Sequence, residues 1–217
     1  GYIKTNNFQI DNKSKKGLEG LAIITKNRTT LDNIQVVGID LENDYINYIP
    51  FIYWQLSAAS DIPENDHMVD KLNEYMSNGG MLFLDLAGND INLKNYPIVR
   101  RLNIKELEPL NRDHLLARSF YLLGDFIKED INDTIWVERE PSSEFDNVSA
   151  IIIANNDYAK IWAMDNNLQP LFPMATNKIN TRDMLYRLGV NLMIYVFTGS
   201  YKSDQIHLPF ILERLKQ

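Results

Sequence analysis

The chain contains no cysteine, which removes disulfides, thiolate nucleophiles and cysteine-ligated metals at once. Histidine is scarce too. His67, His114 and His207 are far apart and none sits in a metal-ligand spacing, so no metal site is expected. Neither a Gly-x-Gly-x-x-Gly run nor a Walker pattern is present, and no cofactor is expected. Basic charge is in short supply: 22 Lys and Arg against 29 Asp and Glu leave a net charge of −7. That balance disfavours a nucleic-acid partner, because phosphate binding needs a basic face. Lys13, Lys15 and Lys16, and the pair Arg100-Arg101, read as solvated surface. Long apolar runs are missing as well. The strongest, 190–197, contains Asn191 and falls well short of the ~20 residues that span a bilayer. No signal-peptide pattern opens the chain.

What is present is ordinary globular material: 217 residues, 45% apolar and 24% charged, enough for one domain with a sizeable core. Tyr2-Ile3-Lys4-Thr5 reads as a strand already under way. A helix follows over 13–27, weakened by Gly17 and Gly20. Strands are expected at 34–39, ending at Asp40, and at 51–54, entered through Pro50. A helix over 63–78 opens on Pro63 and stops at Gly79-Gly80. The apolar run Met81-Leu82-Phe83-Leu84 then ends in Asp85. Residues 88–111 read as loop with a short helix near 96–102, and 141–147 as a polar turn. Strands return at 135–138 and, most clearly, at 150–154, where three isoleucines stand between alanines. Asn156 or Asp157 is placed to cap the next helix. The longest helix, 181–198, starts in a capping-box-like Asn180 and Asp183, stops at Gly199, and is followed by an amphipathic helix from Pro209. Strands alternating with helices predict a single three-layer α/β domain over 1–217: a mostly parallel sheet with helices on both faces.

Open sheets of this kind bind ligands beyond the carboxyl ends of their strands. The polar residues expected there are Asp40, Asp85, Asn155, Asn156 and Asp157, with Glu138 as a further candidate. Converging carboxylates and an amide suit a proton-transfer pair or a hard cation. Asp and Asn also cap helices and end turns, which accounts equally for each of them. Arg182 and Arg187 share the long helix with Asn191. An Arg–Asn face fits a carboxylate or phosphate, or a structural network tying the helix to a loop. Asn191, inside an apolar octet, is expected to be buried and hydrogen-bonded. His114 and Ser119 lack the Gly-x-Ser-x-Gly elbow of a nucleophilic pair, and no catalytic residue is assigned.

The segments 113–123, 151–157 and 186–192, together with Thr198-Gly199-Ser200-Tyr201-Lys202-Ser203-Asp204-Gln205 and Pro209, resemble domain-of-unknown-function family 4159. The resemblance runs from about Tyr2 to Lys216. It implies a flavodoxin-like sheet similar to class I glutamine-amidotransferase-like and trehalose-utilisation-like folds, in which the strand in the place of Met81–Asp85 delivers a cysteine nucleophile. Here Asp85 stands there. It also implies an excised domain of a longer bacterial protein anchored in the inner membrane by an aerotolerance-regulator-like region, with the periplasmic side slightly favoured. His114 stands where relatives often carry His-Pro, and Leu115 replaces the proline. Two functions follow as expectations. One is a non-catalytic binding or assembly domain with protein partners or a small ligand. The other is a carboxylate-dependent hydrolase or transferase acting on a sugar or phosphorylated ligand.

Overall fold

Short apolar runs rich in aromatic and β-branched residues become the centre of a seven-stranded sheet. The computed structural model describes residues 1–56, 65–88, 96–126, 135–141, 148–165, 167–174 and 180–214, with 199–214 described as backbone only. The strands are β1 (Tyr2–Ile3), β2 (Gly38–Ile39), β3 (Phe51–Gln55), β4 (Met81–Asp85), β5 (Leu107–Pro109), β6 (Ile135–Glu138) and β7 (Ile151–Ala154). Their order is β2-β1-β3-β4-β7-β6-β5. The first five run parallel, and β6 and β5 close the far side antiparallel. β3, β4 and β7 are buried on both faces, as parallel strands between helical layers must be.

Helices α1 (Phe8–Arg28) and α3 (Tyr158–Trp162), with the first part of α4 (Thr181–Arg214) up to Val196, cover one face. Helix α2 (Asp66–Ser77) covers the other with the 3₁₀ turn Val99–Arg101. Alternation along β4 divides the core: Met81 and Phe83 join the first layer, Leu82 and Leu84 the second. The expected mostly parallel α/β domain is therefore present. Among the described residues no helix is long and apolar enough to cross a membrane.

Several boundaries move for local reasons. β1 ends at Ile3 because Asn6 takes a positive φ of 59° and both the N–H and the hydroxyl of Thr5 donate to Asp11. β2, expected over 34–39, is only as long as the two-residue β1 it pairs with. α1 starts at Phe8 rather than Lys13, since Asn7 Oδ1 accepts the N–H groups of Gln9 and Ile10. The expected Pro63 start lies outside the described residues; Asn65 caps the helix that begins at Asp66. Of the expected turn over 141–147, residues 142–147 also lie outside the described residues. β5 arises in a stretch read as loop, with Pro109 on the sheet's edge. Gly199 does not stop the last helix: the backbone breaks at Thr198 (φ −131°, ψ 17°) and continues directly, not from Pro209. Thr198 Oγ1 bonds the Ile194 carbonyl at 2.6 Å, a contact that bends helices.

The strand-end candidate Glu138 does not join the others. β6 is antiparallel to β7, so its last residue, Glu138, lies where β7 begins. Glu138 is at the opposite sheet edge from Asp85.

Candidate functional site

The parallel strands place Asp85 beside Ala154 in register, so Asp85 and Asn155, Asn156 and Asp157 meet at one edge of the sheet. The chain turns sharply there. Ala87 and Asp157 adopt φ of 53° and 49°, and Gly88 follows at 81°. Gly88 N–H donates to Asn155 Oδ1 at 2.8 Å, joining the loop after β4 to the loop after β7. Asn156, in the loop after β7, is half-buried.

Asp85 is fully buried. Its Oδ1 accepts from the N–H groups of Ala87 (2.8 Å) and Asp157 (3.2 Å). Its Oδ2 accepts from the Tyr53 hydroxyl (2.8 Å) and the Tyr158 N–H (2.5 Å). Beneath it Tyr53, Phe83, Tyr158 and Trp162 form an aromatic layer with neighbouring ring centroids 5.2–6.5 Å apart. That layer explains the electrostatics: burial pushes the carboxyl up to about 6, against the pull of its hydrogen-bond donors. Asp157 caps α3 through the Lys160 N–H, and its Oδ2 meets Lys13 Nζ at 2.7 Å. Lys13 is therefore a partly buried bridge between α1 and α3 and not solvated surface. Lys15 and Lys16 reach Glu19 on their own helix.

Gln55, at the end of β3 and in register with Asp85, is the residue that sequence reasoning missed. It is buried, and its Oε1 has no partner among the described residues. β3 adjoins β1, whose own successor β2 lies on the other side, so Gln55 stands at the point where strand order reverses, the usual ligand position. A polar residue directly after Phe-Ile-Tyr-Trp was the available signal.

The remaining candidates lie elsewhere. Asp40 directly follows β2, three strands from β4. Its carboxylate folds back on Asn43 and Glu42, and the Asn43 side chain holds it below the usual carboxylate range. Arg187 bonds Asp183 at 2.7 Å, and its guanidinium lies 5.3 Å from the Tyr121 ring centre. Asp183 also takes Arg28, and against the desolvation that raises it these two arginines pull its carboxyl down. Arg28 and Lys13 share α1, and the helix rise separates them by about 22 Å. The arginine face is thus remote from Asp157. Arg182 Nη2 donates to the Phe172 carbonyl at 2.5 Å, while its buried Nη1 has no partner among the described residues.

Asn191 is buried and saturated. Its Oδ1 accepts from Phe120 and Tyr121 N–H, and its Nδ2 donates to the Leu116 and Tyr121 carbonyls. It ties α4 to the loop that carries His114. There the His114 ring caps a 3₁₀ turn by accepting the Leu116 N–H, and burial, with Arg118 beside it, lowers its pKa to about 4. The Ser119 hydroxyl donates to the Leu115 and Leu116 carbonyls. Both side chains are structural.

The family model described as a domain of unknown function, DUF4159, matches residues 1–197. The chain belongs to the DUF4159 family. No curated protein matches the sequence. In this DUF4159 domain the matched region takes in every strand of the sheet and breaks off one residue before the backbone break at Thr198.

Proposed function

We propose that this DUF4159 domain is a non-catalytic binding or assembly module of a membrane-anchored bacterial protein. The closure of Asp85 carries this reading. The carboxylate at the nucleophile-like strand end is inaccessible and shared among four donors of its own chain. The N–H groups at the start of α3 that would greet an anionic ligand are already given to Asp85 and Asp157. The unpartnered Gln55 Oε1 beside them supports binding by hydrogen bonds. The membrane anchor and protein partners rest on the resemblance to longer relatives. Recovery of the longer protein only from the soluble fraction of fractionated cells would remove that setting.

The alternative, a carboxylate-dependent hydrolase or transferase, has one observation in its favour: a carboxyl raised to about 6 beside a tyrosine hydroxyl is a perturbed pair of the kind found at active sites. Turnover separates the two. Purified protein should release no product from glutamine, p-nitrophenyl glycosides or p-nitrophenyl phosphate above a heat-inactivated control. Turnover that disappears in a folded Asp85→Asn variant would establish the enzyme instead.

A further inference from the structure

A polar pocket lies at the other edge of the sheet, where β4 and β7 begin. Its volume is about 280 Å³, and Glu138, Asn73, Asn103, Lys105 and Ser149 contribute to its walls. Glu138 is only 4% exposed. Its Oε2 accepts the Ala150 N–H at 2.7 Å, which fixes the side chain to the first residue before β7. Oε1 has no protein partner among the described residues. Lys105, the cation in the same wall, donates instead to the Glu140 carbonyl at 3.4 Å. The neutral walls are held in place: Asn103 N–H donates to Asn73 Oδ1 at 2.8 Å, and Ser149 N–H to the Tyr195 hydroxyl at 2.7 Å.

A carboxylate largely withdrawn from water and without an ion pair among the described residues is unfavourable, and a cation entering the pocket relieves it. The volume is just under the range of drug-sized sites and suits a body of a few heavy atoms. We propose that this pocket binds an organic cation, a primary ammonium or guanidinium group, with Glu138 as its counter-ion and the Asn73, Asn103 and Ser149 walls receiving the rest of the ligand. The site shares no residue with the Asp85 edge, so either reading stands or falls alone.

Titration of the purified domain with n-butylammonium, arginine methyl ester and neutral n-butanol, followed by amide chemical shifts, tests it. Both cations should bind saturably and shift the signals of Glu138 and Asn103, while butanol should not. Glu138→Gln keeps an acceptor for the Ala150 N–H, so it should fold, and it should weaken cation binding roughly tenfold or more. Lys105→Ala removes an exposed like charge and should tighten cation binding roughly twofold. A blocked Gly-Lys-Gly peptide separates the two sources of such a group. Tighter binding than butylammonium assigns the pocket to a partner's basic side chain, weaker binding to a free amine, and both support the site. Unchanged cation affinity in Glu138→Gln, equal binding of butanol, or no saturable cation binding overturns the proposal.

Discussion

Both oxygens of Asp85 are taken by donors, yet burial still holds its carboxyl near pH 6 against an ordinary 3.8. The folded protein therefore keeps a proton that the unfolded chain has released. This stability is fully present below about pH 4 and is lost as pH rises through about 6, an effect of about 3 kcal/mol. Asp85→Asn lacks the titration. The difference in urea unfolding free energy, wild type minus variant, should fall by about 3 kcal/mol between acid and neutral pH, and a constant difference would rule the linkage out. Asn191→Leu tests a neutral network. It strands two N–H groups and two carbonyls in the loop 116–121, for a loss of about 3 kcal/mol or more. A loss under about 1 kcal/mol would show that the loop finds other partners. The sequence made Asn191 legible because an amide in an apolar run needs bonds. Its partners were not legible, being backbone groups some 70 positions away. Asp85 was legible as a strand end, but its cover was not, since Tyr53 and the start of α3 come from distant segments.

At the scale of elements, close approach decides what propensity does not. Gly17 and Gly20 looked like weak points in α1. A Cβ on Gly17 would stand 2.5 Å from the Ala159 backbone, and one on Gly20 2.0 Å from the Trp162 carbonyl oxygen. The two glycines let α1 lie directly against α3, the helix whose first N–H groups hold Asp85. Gly20→Ala gains roughly 1 kcal/mol of helix propensity but forces backbone apart. The net outcome should be destabilisation of about 1–3 kcal/mol, read as a lower urea midpoint. A raised midpoint would mean that α3 is free to move away. Helix positions were readable from spacing and caps. The reason for glycine within a helix was not, because it lies in a partner helix more than 100 residues away. Strand direction was equally hidden: a four-residue run such as Ile135–Glu138 reads the same either way, and its reversal moved Glu138 to the far edge and into the pocket.

For the whole molecule, two layers of core lie on either side of one sheet, and this was legible because β3, β4 and β7 are apolar on both faces. The limits of the packed unit were less so. Gly199 was the obvious stop, yet the backbone breaks at Thr198 and remains helical to Arg214. Phe197 is already 42% exposed, and the family match ends on it. The backbone break, the exposure of Phe197 and the end of the family match coincide within two residues, and on that basis the helix beyond Thr198 is expected to add little to folding. A chain ending at Thr198 should therefore keep a single cooperative transition, with its melting temperature within about 4 °C of the full chain, or about 1 kcal/mol. A drop of about 10 °C or more, or a broadened transition, would mean that residues 199–214 complete the core and that the packed unit extends past the family boundary.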